Sequence, residues 1–280
     1  MENIQGTKSE FIKLFKELCY GRTYWQVWAD LISTMACSLA NVADKAEQRY
    51  KAREKEYKEC IERLGGVEKP AQCLAIVVQA LEKNPNQDFL GSLYMELDLG
   101  SHWTGQFFTP YHVSEAMSKI TMENCKSSIE EKGWISVCDP CVGGGAMLIA
   151  AANTVKEQGI NYQERVLFVG QDIDRIVGMM AYIQLTLLGC AGYIVIANTL
   201  TNPLEGPSIC PNEKEDQEFW YTPFYFFKTW ALRREYLKMK LFFCKNVEEE
   251  KLSTDISTNI TDNVDKITKN DKKYMFFMFD

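Results

Sequence analysis

The sequence predicts an α/β protein in which a parallel sheet wound with helices follows a helical N-terminal region. Apolar residues recur at helical spacing through the first hundred residues, and short apolar runs alternate with helical patterns after Gly133. Three consecutive glycines, Gly143 to Gly145, join an apolar run to an alanine-rich helical pattern. Strands that alternate with helices are typical of a parallel sheet.

The helical region is predicted from four segments. Residues 10–39 show apolar spacings of three and four with a break at Gly21, and residues 44–64 form a charge-rich helix that ends at Gly65. Residues 70–85 and 89–100 continue the helical pattern. We therefore expect a helical N-terminal region over residues 1–100.

The sheet region is predicted over residues 101–245. Its strand candidates are residues 135–138, 166–170 and 193–197, and its helix candidates are residues 146–158 and 175–188. Residues 227–243 favour a further helix that runs towards a strand. Residues 245–273 are polar, low in aromatics and rich in Asn, Thr, Lys and Asp, and we therefore expect residues 246–280 to form a mobile tail.

The composition excludes several classes of protein. A net charge of -7 and a pI near 5.2 argue against a protein that coats nucleic acid by charge alone. No apolar run approaches the roughly 18 residues of a membrane span. The 10 cysteines at irregular spacing and the polar N-terminus predict reduced thiols in a cytoplasmic protein.

The glycine turn in DPCVGGGAML allows several kinds of site. A P-loop is excluded because the turn lacks the Lys and the Ser or Thr that meet phosphates and magnesium. A dinucleotide fingerprint lacks its third glycine. A metal or redox pair at Cys138 and Cys141 has no second CxxC, and His102 and His112 lie in another segment, so we expect no metal site.

Two aspartates next to this turn favour a different ligand. Asp139 ends the first predicted strand before Gly143 and Gly145, and Asp172 ends the second. Glycines let the backbone approach a ligand at the carboxyl edge of the sheet, and a carboxylate after the second strand can accept hydrogen bonds from ribose hydroxyls. This pattern suits an adenosine-containing ligand without phosphates, such as S-adenosylmethionine.

Four segments follow one another in the order FLGSLYMELDLGSHWTGQFFTP, DPCVGGGAML, GQDIDRIVGMMAYIQLTLLG and IANTLTNP. In this order they resemble the N6-adenine DNA methyltransferases related to the modification subunits of type I restriction-modification systems. The segment ending in GQFFTP ahead of DPxxGxG is a specific pairing, and the four cover roughly residues 88–203. The resemblance implies a Rossmann-like sheet that binds S-adenosylmethionine and methylates DNA.

The resemblance also implies roles for residues around the methionine part of the cofactor. Phe108, Thr109 and Pro110 would line its methionine end. Asp139 with Gly143 and Gly145 would approach its amino-acid portion.

For the adenosine part, the resemblance implies that Asp172 holds the ribose and that Ile173 packs on the adenine ring. Asn198 stands where the family usually has an Asp that accepts a hydrogen bond from the adenine amino group. The carbonyl oxygen of an Asn side chain can accept the same bond.

The family's base-presenting motif, Asn-Pro-Pro followed by Tyr or Phe, is absent from the sequence. By position, the nearest substitute is Thr222 with Pro223 and Phe224, which we take as candidate catalytic residues. A hydroxyl in place of an amide carbonyl would weaken the clamp on the adenine amino group. The base rate for aromatic burial favours the alternative interpretation, in which this aromatic-rich segment closes the core.

Three functions therefore remain open, the third being a methyltransferase that acts on another substrate. The first is an adenine-specific DNA methyltransferase, which would need a separate specificity subunit because no large target-recognition domain follows Pro203. The second is a protein that binds S-adenosylmethionine and associates with DNA or regulates it without catalysing transfer. The basic cluster Arg233, Arg234, Lys238 and Lys240 could meet phosphates or form a solvated helix face.

Overall fold

A computed structural model of the chain describes residues 2–100, 108–254 and 275–276. The N-terminal region consists of five helices, as predicted. They are α1 (Glu2–Leu18), α2 (Tyr24–Ala43), α3 (Glu47–Arg63), α4 (Glu68–Lys83) and α5 (Phe89–Glu96). Gly21, at φ +73°, lies between α1 and α2 where the sequence indicated a break.

The remaining elements alternate strands with helices. They are α6 (Tyr111–Thr121), α7 (Cys125–Lys132), β1 (Ile135–Asp139), α8 (Ala146–Glu157), α9 (Tyr162–Arg165), β2 (Val166–Asp172), α10 (Arg175–Leu187), β3 (Ala191–Ile196), β4 (Glu218–Tyr221), a 3-10 helix (Pro223–Phe226), α11 (Lys228–Thr254) and β5 (Met275–Phe276). The three predicted strands correspond to β1, β2 and β3, whereas β4 was not predicted.

The strands of the described residues form one sheet in the order β4-β3-β2-β1-β5. Strands β1, β2 and β3 are parallel, so Asp139 pairs with Gly170 and Asp172 pairs with Ile196 at one edge. Strand β4 is antiparallel to β3, and the short β5 runs parallel to β1. The parallel order 3-2-1 is that of half a Rossmann fold, which confirms the predicted α/β class.

One hydrophobic core joins the N-terminal helices to one face of the sheet. Phe11, Trp28 and Phe89 of the helical region are fully buried in the same cluster as Phe168 and Ile194 of the strands. A second cluster on the other face contains Tyr193, Phe219 and Trp230. The helical region therefore covers the sheet.

Charged side chains also link the helical region to the sheet. Arg175 at the start of α10 donates to Glu56 of α3 at 2.8 Å through two nitrogens and to Glu218 of β4 at 2.7 Å. Arg53 of α3 donates to the carbonyl oxygen of Phe219 at 3.1 Å. Bidentate arginine contacts of this kind fix orientation as well as proximity.

The predicted tail begins inside a helix, because α11 continues to Thr254. Residues 255–274 and 277–280 lie outside the described residues, so the mobility of that segment stays a prediction. None of the described helices is long and apolar enough to cross a lipid bilayer.

Candidate functional site

The glycine turn lies at the carboxyl edge of the parallel strands. Strand β1 ends at Asp139, and the chain then turns through Gly143 at φ +54° and Gly145 at φ +95° before α8 begins at Ala146. Both conformations are left-handed and disfavour any residue with a Cβ atom. The first amides of α8 therefore open onto the edge where β2 and β3 also end.

Asp139 is a buried carboxyl beside this turn, with 6% of its surface exposed. Its Oδ1 accepts a hydrogen bond from the backbone N–H of Cys141 at 3.0 Å. Burial raises the pKa of Asp139 to about 6, the Cys141 hydrogen bond opposes this rise, and the nearby charge of Asp172 adds to it. Above about pH 6 the Asp139 carboxylate can attract a cation, and below that pH it accepts a proton.

Asp172 fixes the turn from the end of the neighbouring strand. Its Oδ2 accepts from the N–H of Gly143 and its Oδ1 from the N–H of Asp174, both at 2.9 Å. Burial raises the pKa of Asp172, and hydrogen bonds from the backbone of Asp174, Gly143 and Ile173 oppose the rise. Each oxygen retains a lone pair for a further donor, such as a hydroxyl.

The segment before α6 reaches the turn through Phe108. A Cβ atom built on Gly143 would lie 3.5 Å from the ring of Phe108, and that ring lies 5.0 Å from the ring of Tyr94 in α5. Phe108 therefore lies against the glycine turn. Thr109 and Pro110 follow it and are exposed, whereas Phe107 lies outside the described residues.

Ile173 and Asn198 lie after β2 and β3 at the same edge. Ile173 is 66% exposed, so its side chain can pack against a ligand. The Oδ1 atom of Asn198 accepts from the N–H groups of Leu200 at 2.9 Å and Thr201 at 3.2 Å. The acceptor role implied for Asn198 would require one of these bonds to be released.

Seven of the predicted cofactor residues thus lie at one edge of the sheet: Phe108, Asp139, Gly143, Gly145, Asp172, Ile173 and Asn198. Thr109 and Pro110 follow Phe108 in the chain. A profile of the N-6 DNA methylase family matches residues 98–236. These residues belong to that family. We refer to residues 98–236, about half of the chain, as the methylase segment.

Three solved structures are also similar to the chain. They are a methyltransferase subunit of a type I restriction-modification system from Streptococcus thermophilus (14% identity, TM-score 0.36, covering 71% of this chain and 59% of that chain), a protein described as a class I S-adenosylmethionine-dependent methyltransferase from Listeria monocytogenes (13%, 0.38, 73% and 57%), and a protein described as a modification subunit of a type I restriction enzyme from Vibrio vulnificus (18%, 0.30, 56% and 31%).

These TM-scores are below 0.5, so the likenesses carry no argument about this chain. The chain also spans less than two thirds of each of the three structures. No curated protein matches the chain. The family assignment therefore rests on the profile match to residues 98–236.

The candidate catalytic residues of the methylase segment do not lie at the carboxyl edge. Because β4 runs antiparallel to β3, it begins beside Ile196 and ends with Tyr221 beside Tyr193, towards the amino end of β3. Thr222 follows at 1% exposure, and its hydroxyl donates to the carbonyl of Cys190 at 2.7 Å and accepts from the N–H of Gly192 at 3.0 Å.

Thr222, Pro223 and Phe224 are consequently not placed to present a base beside Asp139. The Thr222 hydroxyl is committed to the backbone of β3. Phe224 packs near Gly189, whose hypothetical Cβ atom would lie 3.1 Å from the ring. The correction follows from the direction of β4, and the segment instead closes the core of the sheet's second face.

Replacing Thr222 with valine should lower the free energy of unfolding by about 1 to 3 kcal/mol, because the buried N–H of Gly192 loses its hydroxyl partner. Ligand binding at the carboxyl edge should be unchanged. Urea unfolding and calorimetric titration with S-adenosylmethionine measure the two quantities. A large loss of affinity without loss of stability would restore Thr222 as a site residue.

The predicted basic cluster of α11 is partly used within the fold. Arg233 donates to the carbonyl oxygen of Glu164 at 2.6 Å, just before β2, and Arg234 donates to that of Tyr225. Lys238 forms an ion pair with Glu235 at 2.9 Å. The contact with Glu164 places this cluster near the amino ends of the strands, away from the glycine turn.

Sequence reasoning missed three buried polar side chains around the edge, namely Asp88, Gln171 and Gln184. Gln171 donates to the carbonyl of Asn202 at 2.9 Å and accepts from the N–H of Leu204 at 3.1 Å, so it anchors the segment after β3. The sequence did contain a signal for Gln171, because it is an amide side chain inside an otherwise apolar run, and a buried polar group needs hydrogen-bond partners.

The two cysteines of CDPC are free thiols in the structure. Cys138 packs against the core of the second face, whereas Cys141 is exposed. Within the described ranges, no group of three or more His, Cys, Asp or Glu side chains is arranged to hold a metal ion.

Proposed function

We propose that the methylase segment binds S-adenosylmethionine at the carboxyl edge of β1, β2 and β3 and transfers its methyl group to N6 of adenine in DNA. The observation that carries the proposal is the pair of carboxyls, Asp139 and Asp172, on either side of a left-handed glycine turn. The match of residues 98–236 to the N-6 DNA methylase family supports adenine in DNA as the substrate.

The chemistry of these residues fits the cofactor. S-adenosylmethionine carries a sulfonium and an ammonium group, and both cations are stabilised by carboxylates. The oxygens of Asp172 can accept hydrogen bonds from two ribose hydroxyls while they retain the N–H groups of Gly143 and Asp174. The ligand has no phosphate, so the absence of a lysine from the turn is no obstacle.

When bound, S-adenosylmethionine supplies an electrophilic methyl group. The residues of the chain fix the ligand: Asp172 orients the ribose, Ile173 covers one face of the adenine, and Phe108 excludes water beside Gly143. Asp139 neutralises positive charge at the amino-acid end. These roles provide positioning and electrostatic stabilisation, two large sources of catalytic rate.

The target adenine must also be presented to this edge. Methylation of N6 requires that the base leave the helical stack and that oxygen atoms accept its amino hydrogens. The segment 198–217 starts and ends at this edge because Ile196 pairs with Glu218. We propose that presentation of the base involves this segment or a partner subunit, which would also supply sequence specificity.

A second candidate function is cofactor binding without transfer. It is favoured by the absence of an Asn-Pro-Pro-aromatic motif and by the burial of Thr222 away from the edge. Such a protein would bind S-adenosylmethionine and associate with DNA without methylating it.

One experiment separates the two functions. The protein is incubated with methyl-labelled S-adenosylmethionine and adenine-containing duplex or single-stranded DNA, and label is located at base resolution. We expect label at adenine N6 above a heat-inactivated control and above the Asp172→Ala variant. Cofactor binding by calorimetry without label would favour the second function, and the absence of binding would contradict both.

A further inference from the structure

The glycine turn is also held from its buried side. Gln184 of α10 is fully buried, and its Nε2 donates to Oδ1 of Asp88 at 2.7 Å and to the carbonyl oxygen of Gly144 at 2.8 Å. Its Oε1 accepts from the N–H of Leu90 at 3.1 Å. One amide thus joins α10, the start of α5 and the middle of the turn, and both its donors and its acceptor are used.

Asp88 completes this arrangement. It is 7% exposed and caps α5, since its Oδ1 also accepts from the N–H of Gly91 at 2.8 Å. Burial raises the pKa of this carboxyl, and the bonds from Gln184 and Gly91 oppose the rise. A buried carboxyl is costly, and it is retained where its hydrogen bonds fix neighbouring groups.

The close approach of Asp88 also explains the middle glycine of the turn. Gly144 has no positive φ angle, unlike Gly143 and Gly145. A Cβ atom on Gly144 would lie 3.0 Å from Oδ2 of Asp88 and 3.4 Å from the Cα atom of Gly91. Gly144 is therefore required by its contact with α5, whereas its neighbours are required by the backbone conformation.

We propose that Asp88 and Gln184 are positioning residues that preset the glycine turn for the cofactor. They fix the Gly144 carbonyl on the buried side while Asp172 fixes the Gly143 N–H on the ligand side. The inference rests on the proposed cofactor site. A turn fixed before binding loses less conformational entropy when the ligand arrives, which raises affinity.

The test compares one variant with a control at another buried amide. Gln184→Met keeps the side-chain volume but removes every hydrogen bond of the amide. Asn153→Ala removes another buried amide, in α8, whose hydrogen bonds go to the carbonyls of Pro85 and Ile149 and to the hydroxyl of Tyr111 rather than to the turn. Both should lower the melting temperature, and only Gln184→Met should weaken S-adenosylmethionine binding, by about tenfold, while KM for DNA stays unchanged.

A conservative variant tests the chemistry of Asp88. Asp88→Asn retains an Oδ1 acceptor for Gln184 and Gly91, so we expect its affinity to stay within about threefold of the native protein, whereas Asp88→Ala should lose about tenfold. Equal loss in both variants would contradict a role through hydrogen bonding.

Hydrogen exchange of the ligand-free protein separates this inference from the proposed function. If Gln184 presets the turn, the amides of residues 143–146 should exchange faster in Gln184→Met than in Asn153→Ala. Faster exchange without cofactor binding in the native protein would overturn the proposed function, and with it a role for Gln184 towards the cofactor, while it would show that Gln184 still restrains the turn. Equal exchange and equal affinity in the two variants would overturn the positioning role.

Discussion

Replacing Asp172 with alanine should weaken S-adenosylmethionine binding by about 100-fold, which corresponds to about 2.7 kcal/mol. The variant loses the acceptor for the ribose hydroxyls and also releases the N–H of Gly143, which Asp172 holds at 2.9 Å. Hydrogen bonds to charged groups contribute about 1.5 to 3 kcal/mol, so the loss of several justifies this magnitude. Isothermal titration calorimetry measures the effect.

The control for this variant is Asn161→Ala. Asn161 caps α9 by accepting from the N–H of Gln163 at 3.1 Å, before β2 and at the opposite edge of the sheet. Its loss should cost about 1 kcal/mol of stability without changing cofactor affinity. If Asp172→Ala retained native affinity, the cofactor would not lie across the ends of β1 and β2.

Binding of S-adenosylmethionine should weaken about tenfold for each pH unit below 6, because protonation of Asp139 removes the carboxylate that attracts the cation. The pKa of Asp139 is raised by burial to about 6, so its charged form dominates above that pH. Asp139→Asn should show low affinity with a flatter pH profile. Any pH dependence that remains is assigned to Asp172, whose pKa is also raised.

The same carboxyl should make the ligand-free protein less stable as the pH rises. The folded pKa of Asp139 is about 6 and lies above its ordinary value of 3.8, so the folded state binds more protons in this window. Stability is therefore lost between about pH 4 and pH 6, by on the order of 2 to 3 kcal/mol. Asp139→Asn should unfold at higher denaturant concentration than the native protein at pH 7.5, and equal midpoints would contradict this.

The sequence was sufficient to predict the parallel strands and the residues at their ends. Strands β1, β2 and β3 are short apolar runs, and each ends in a polar or glycine-rich segment, so Asp139 and Asp172 could be assigned to one edge. The direction of β4 could not be predicted in this way. A strand of four residues that begins with Glu218 has no periodicity that distinguishes parallel from antiparallel pairing.

Because the direction of β4 could not be predicted, Thr222 was expected at the wrong end of the sheet. Its distance along the chain matched the expected position of a base-presenting motif, but the antiparallel course of β4 carried it to the amino end of β3. The Asp88 and Gln184 pair was missed for a different reason. These residues lie 96 positions apart, and only the packing of α5 against α10 brings their side chains together.

The core that is shared by the helical region and the sheet has a consequence for the boundaries of this protein. Residues 98–236 are the unit of common ancestry with the methylases, yet Trp28, Phe89 and Tyr94 of the preceding helices fill the same core as Phe168. If residues 98–236 were expressed alone, they would expose an uncovered apolar face to water, and we expect them to aggregate. We therefore expect the segment that matches the methylase family to be shorter than the segment that folds independently.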